Sequence, residues 1–145
     1  MYKLKVLFLC TGNSCRSQMA EGWARHLKSE VMEPYSAGTM PTALNPSAGK
    51  VMSEAGVDIS AQWPKHVNEL ADVGFDYVVT VCDHANESCP VLPGNAKRRH
   101  VGFDDPPRLA KFAKNEEEAL RHYRRVRDEI RAFVEGMPDN LEHVK

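Results

Sequence analysis

Five residues separate a thiol from a guanidinium in the run Cys10-Thr11-Gly12-Asn13-Ser14-Cys15-Arg16-Ser17. A cysteine thiolate is a strong nucleophile, and an arginine fork grips two oxygens of one oxyanion at once. The spacing proposes a thiolate beneath a bound tetrahedral oxyanion. Cys10 is then the nucleophile, and Thr11, Gly12, Asn13, Ser14, Cys15, Arg16 and Ser17 line the anion. The run lies between the apolar Val6-Leu7-Phe8-Leu9 and a segment of helical periodicity, so it reads as strand end, loop and helix start. Such a junction turns backbone N–H groups toward one point, where the positive end of the helix dipole adds to their attraction for an anion. A thiol's ordinary pKa of ~8.5 falls in that setting. Ser17 is expected to donate a hydrogen bond to the thiolate, while Gly12 and Asn13 suit the tight backbone. The plain structural alternative is a buried cysteine closing a strand and a surface arginine opening a helix.

The elements that must position these groups follow from periodicity. A buried strand is expected over Lys3–Leu9 and a helix from Ser17 to about Ser29, with Met19, Ala20, Trp23, Ala24 and Leu27 on its inner face. Val31–Ser36 is a weaker strand, interrupted by Pro34. Asn45-Pro46 caps a second helix that runs to Gly56, and Val67–Ala71 has room for a turn or two. Tyr77–Val81 is a second core strand, Lys97–Phe103 a further strand, and Asp104-Asp105-Pro106-Pro107 a loop. A long helix from about Asn115 to Glu135 carries the stripe Ala119, Leu120, Tyr123, Val126, Ile130, Phe133 and Val134. Alternating strands and helices with short connections predict a single three-layer α/β domain over residues 1–145, its four-stranded sheet mainly parallel and flanked by helices.

The balance of 19 Lys and Arg against 20 Asp and Glu gives a net charge of −1, so bulk attraction to nucleic acid or anionic lipid is not expected. The apolar run Val6–Leu9 is too short for a signal or a membrane span, and a cytoplasmic monomer is expected. In a reducing compartment, four cysteines serve more often as catalytic, redox or metal-binding groups than as static cross-links. Cys82 follows its strand as Cys10 follows the first. In open parallel sheets the carboxyl ends of the strands share one edge, so the two thiols can meet there.

Cys10 to Ser17, the downstream Asp105-Pro106 and the length resemble the low-molecular-weight protein tyrosine phosphatase fold. The longer run from Cys10 through Gln18-Met19-Ala20-Glu21-Gly22-Trp23, with Thr80-Val81-Cys82, Cys89-Pro90 and Gly102-Phe103-Asp104-Asp105-Pro106, is more similar to the thioredoxin-coupled arsenate reductases built on that fold. A cradle for phosphate also holds arsenate, so the loop alone does not choose between the two chemistries. Reducing arsenate to arsenite takes two electrons, which two thiols supply by closing a disulfide, whereas phosphate hydrolysis needs no further thiol. Cys82 and Cys89 therefore favour reduction. If the residues between them were helical, the pair would be about 10 Å apart at ~1.5 Å per residue, beyond the ~7 Å between α-carbons that a disulfide tolerates. Asp83-His84-Ala85-Asn86-Glu87-Ser88, polar and ended by Pro90, is a helix that unwinds cheaply. The expected sequence is attack of Cys10 on arsenate, of Cys82 on the adduct, and of Cys89 on the Cys10–Cys82 disulfide. The resemblance implies thioredoxin as the reductant and no cofactor.

It also implies a general acid at Asp105, with Asp104 as the adjacent alternative and a turn or helix cap as the structural one. The phosphatase branch has an aromatic residue where Pro107 stands here, which disfavours a tyrosine phosphatase. Some relatives bind potassium beside the loop through Asn, Glu, Ser and Asp. Asn13, Glu21 and Ser36 match three of these, but Lys65 falls at the fourth, either as a built-in ammonium or as an ordinary surface residue. Cys15 reads as packing, the histidines as solvated, and Trp63 as a pocket edge or core cover. The cysteine spacings fit a zinc site poorly, so no metal is expected.

Overall fold

The computed structural model describes residues 2–83, 85 and 95–143. The chain forms β1 (Leu4–Cys10), α1 (Arg16–Lys28), β2 (Met32–Gly38), α2 (Pro46–Glu54), a 3-10 turn (Val67–Leu70), β3 (Tyr77–Thr80), β4 (Lys97–His100), α3 (Pro106–Ala110), α4 (Glu116–Glu135) and a terminal 3-10 turn (Asp139–His143). Among the described residues the four strands make one parallel sheet in the order β2-β1-β3-β4. Val6, Leu7, Phe8 and Leu9 point alternately to the two faces and are all fully buried, so β1 is covered on both sides, as a parallel sheet requires. The α/β architecture expected from the sequence is the one observed.

The two edge strands show how polar or irregular sequence is tolerated. Pro34 lies in β2, an edge strand of the sheet, where a missing N–H costs no interior ladder bond. On the opposite edge, Lys97, Arg98, Arg99 and His100 form a strand charged enough to resist pairing with another chain. β4 stops at His100, three residues short of the expected end.

Helix ends follow local chemistry. Asn45 accepts the N–H groups of Ser47 and Ala48 ahead of Pro46, and Asn115 accepts that of Glu118. The loop expected at residues 104–107 is instead the start of α3: Pro106 sits in its first turn, where a fixed φ and a missing N–H suit a helix. Leu120, Tyr123, Val126, Ile130 and Val134 of α4 are buried, and Trp23 of α1 donates its indole N–H to the Arg127 carbonyl at 3.2 Å. Gly22 lets α1 approach its neighbours, because a Cβ there would lie 2.6 Å from Ile59 Cγ2 and 3.2 Å from Met52 Cε. This packing holds the N-terminus of α1 at the carboxyl edge of the sheet, directly after Cys10.

Candidate active site

The loop from Cys10 to Arg16 has its carbonyl groups tied outward. Thr39 N–H donates to the Cys10 carbonyl at 3.3 Å, Met40 to Thr11 at 2.8 Å, Thr42 to Gly12 at 2.9 Å and Asn45 to Ser14 at 2.9 Å. Residues 39–45 thus form a strap that fixes the loop carbonyls and leaves its N–H groups free of these bonds. Asn13 carries the bend with φ 49°, a left-handed conformation that asparagine tolerates. Its side chain donates to Ser17 Oγ at 2.9 Å and accepts the Lys65 N–H at 2.9 Å, while Gln18 Nε2 holds its carbonyl at 2.9 Å. Ser17 is fully buried and accepts from Asn13, so its hydroxyl supports the loop from beneath. Gly38 is required by closeness: a Cβ there would come within 2.5 Å of the Thr11 carbonyl and 2.9 Å of Asn13 N. The strap and Gly38 were not singled out from sequence; the one available signal was a glycine ending the strand beside β1.

At the start of α1, Cys15 occupies the cap position without a side-chain cap bond, and no acidic residue stands in the first turn. The first turn of the helix therefore carries no side-chain cap and no carboxylate of its own, which favours an incoming anion. Arg16 donates to the Phe103 carbonyl at 2.8 Å, and its second nitrogen lies 3.7 Å from Asp105 Oδ1. Asp105 stands just before α3 yet makes no cap bond, and its side chain is 41% exposed. Asp104, by contrast, is engaged by Arg125 at 2.9 Å. Of the two adjacent carboxylates, only Asp105 faces Arg16.

Cys10 and Cys82, distant in sequence, are both buried at the carboxyl edge of the sheet, close enough for each thiol to shift the other's ionisation. Cys82 Sγ is also 3.3 Å from Thr11 Oγ1 and 3.4 Å from the Ala85 N–H. The Cys10 thiol's hydrogen bond, with help from Thr11, Ala85 and the Arg16 charge, outweighs burial and pulls Cys82 down to about 5. Cys10 is pushed up, first by its bond to Cys82, then by burial and the charge on Cys82. Two neighbouring sulfur anions repel, so the first proton leaves the pair more readily than the second. Cys15 is buried, and burial pushes it up to about 12, in keeping with a packing role. Cys89 and His84 lie outside the described residues.

The family model for low molecular weight phosphotyrosine protein phosphatases matches residues 5–144. The chain belongs to this family. It is similar to an arsenate reductase of Shouchella clausii, 48% identical over 144 residues that span 98% of this chain and 100% of that one. A solved arsenate reductase in the phosphate-binding state superposes with a TM-score of 0.72 at 30% identity, covering 98% of this chain and 99% of that chain. A thioredoxin-dependent arsenate reductase of Corynebacterium glutamicum superposes with a TM-score of 0.60 at 26% identity, covering 90% of this chain and 60% of that one.

Beside the family loop, Asn13, Glu21, Ser36 and Lys65 come together. Lys65 is only 9% exposed, which excludes an ordinary surface lysine, and its ammonium donates to the Ser36 carbonyl at 2.9 Å. Ser36 Oγ donates to Glu21 at 2.5 Å, and Arg25 donates to the other Glu21 oxygen at 2.8 Å. Burial holds the Lys65 amine below its usual value, opposed by the charge of Glu21. A potassium ion fits this set poorly, because the fourth position supplies an ammonium where the ion needs an oxygen. Trp63 is 62% exposed and lies over Lys65 at 4.9 Å from Nζ to the ring centroid, so it edges the Glu21–Ser36–Lys65 pocket rather than covering core. Among the described residues, no cluster of three or more His, Cys, Asp or Glu is arranged to hold a metal, and no helix is long and apolar enough to cross a membrane.

Proposed function

We propose that the protein reduces arsenate to arsenite by a relay through Cys10, Cys82 and Cys89, with thioredoxin restoring the thiols. The observation that carries this reading is a second buried thiol, Cys82, at the same sheet edge as Cys10 and 3.3 Å from Thr11 Oγ1 of the loop. A second thiol beside the nucleophile is positioned to attack any covalent adduct formed there. Hydrolysis of a phosphoryl adduct calls for a water molecule and gains nothing from a neighbouring thiolate. Curated relatives named arsenate reductase, and a thioredoxin-dependent one among the solved structures, support the same reading.

Arsenate binds in the loop with its oxygens on the inward N–H groups and Arg16, which swings its fork from Phe103 and Asp105 onto the anion. Cys10 sulfur attacks arsenic and one arsenic–oxygen bond breaks. The thiol proton and the departing hydroxide leave together as water, with Asp105 as the carboxyl that passes the proton. Cys82 then attacks the Cys10 sulfur. A sulfur–sulfur bond forms, the sulfur–arsenic bond breaks, and its electron pair stays on arsenic, which departs as arsenite. Cys89 attacks Cys82, the Cys82–Cys89 disulfide forms and Cys10 leaves as a thiol. Thioredoxin supplies the two electrons that reopen the last disulfide.

The test is arsenate-dependent consumption of reducing equivalents in the presence of thioredoxin and its reductase, for the parent and for each Cys→Ser variant. The parent turns over repeatedly, while Cys10→Ser, Cys82→Ser and Cys89→Ser do not. Turnover by Cys82→Ser at the parent rate, or aryl phosphate hydrolysis as the only activity, overturns the proposal in favour of a phosphatase.

A further inference from the structure

At the carboxyl edge of β3 and β4 a histidine bridges the sheet to the residue that follows Cys82. His100 Nδ1 lies 2.8 Å from Thr80 Oγ1, and His100 Nε2 lies 3.0 Å from Asp83 Oδ1. A neutral imidazole satisfies both contacts with its proton on Nε2 and the Thr80 hydroxyl donating to Nδ1, and an imidazolium donates at both ends. In either state His100 donates to Asp83. Gly102 keeps the space open: a Cβ there would stand 3.3 Å from His100 Nε2 and 3.7 Å from Asp83 Oδ1.

Asp83 and Ala85 are helical, and the Ala85 N–H points at Cys82 Sγ at 3.4 Å. The backbone after Cys82 is therefore held twice, by the Cys82 sulfur and by the Asp83 carboxylate on His100. We infer that His100 is a positioning residue that holds Asp83, and with it Cys82, in the arrangement of the reduced enzyme, and that joining Cys82 to Cys89 breaks this contact. The inference rests on the relay proposed above. A disulfide draws the two α-carbons within ~7 Å, closer than seven helical residues at ~1.5 Å each would allow, so Asp83 and Ala85 leave the helical conformation they have here. Once Cys82 is in a disulfide, its sulfur no longer attracts the Ala85 N–H as an anion, and Asp83 is carried off His100. The contact then favours only the dithiol side of the equilibrium.

Its strength is bounded by exposure, since the side chain of Asp83 is 90% exposed and that of His100 26%. Exposed pairs of this kind change an equilibrium by about twofold to fivefold. The experiment equilibrates the parent, Asp83→Ala, His100→Ala, the double variant and His100→Asn in dithiothreitol redox buffers, and reads the Cys82–Cys89 fraction by mass spectrometry of alkylated thiols. Each single alanine variant is expected to shift the equilibrium toward the disulfide by about twofold to fivefold, which is a potential about 10–20 mV more negative at ~29.6 mV per tenfold. The double variant shifts no further than either single one, because both remove the same contact. His100→Asn, which keeps a donor, recovers part of the shift, and the KM for arsenate stays at the parent value in all variants. An unchanged potential, or single shifts that add in the double variant, overturns the inference while the relay stands. Absence of any Cys82–Cys89 disulfide in the parent overturns the relay itself.

Discussion

Thr11→Val separates two ways in which the anion loop can serve Cys82. The substitution keeps a β-branched side chain and the backbone N–H that faces the anion, but removes the hydroxyl 3.3 Å from Cys82 Sγ. Losing one hydrogen bond to a thiolate is worth about 1.4 kcal/mol, or about one pKa unit. Cys82 then titrates about one unit above its parent value of about 5. A thiolate one unit more basic attacks ~3-fold faster, because nucleophilicity rises with roughly the 0.45 power of basicity. At pH values near the Cys82 pKa the variant's smaller ionised fraction outweighs its greater basicity, and its net rate falls below the parent's. At pH 8 both proteins are fully ionised at Cys82, and the variant runs ~3-fold faster. The assay is single-turnover release of arsenite by Cys89→Ser enzyme, in which the reaction stops at the Cys10–Cys82 disulfide. A variant slower than the parent by one constant factor at every pH would refute the reasoning and assign Thr11 to shaping the loop.

Lys65 fills the cation position with its own ammonium, so rates in potassium and sodium chloride at equal ionic strength are expected to match; a several-fold rise with potassium would show an ion binding despite it. Gly38→Ala drives a Cβ toward the Thr11 carbonyl. Arsenate or phosphate binding, measured by calorimetry, should then weaken by about tenfold or more, equivalent to ~1.4 kcal/mol; parent-like affinity would mean the loop relaxes around the methyl group. Asp105→Asn should lower the rate of arsenate chemistry by about 100-fold or more, while Asp104→Asn, which loses only an exposed ion pair, stays within about twofold of the parent. Equal effects of the two substitutions in rapid-quench assays would remove Asp105 from the proton-transfer role.

The sheet and the loop were legible because their signals are local. An apolar run such as Val6–Leu9 has few alternatives to a buried strand, and the turn signals of Cys10–Ser17 between it and a helical stripe mark a strand–loop–helix junction. The meeting of Cys10 and Cys82 was legible through the shared edge of a parallel sheet. What pairwise proximity decides was not legible. Asp104 and Asp105 look alike in sequence, and only the placement of Arg125 on α4 engages the first and leaves the second to Arg16. Lys65 read equally as surface or site until its burial against Ser36 and Glu21 was known. The start of α3 was read as a loop because the Asp-Asp-Pro-Pro sequence signals a turn and a helix start with the same residues.

The central claim, that a covalent adduct on Cys10 is resolved by thiols, is tested most directly by one equivalent of arsenate on fully reduced protein, followed by acid quench, alkylation and disulfide mapping. One equivalent of arsenite should appear, with a Cys82–Cys89 disulfide in the parent and a Cys10–Cys82 disulfide in Cys89→Ser. Arsenite released with all four thiols still alkylatable, or no arsenite at all, would contradict it.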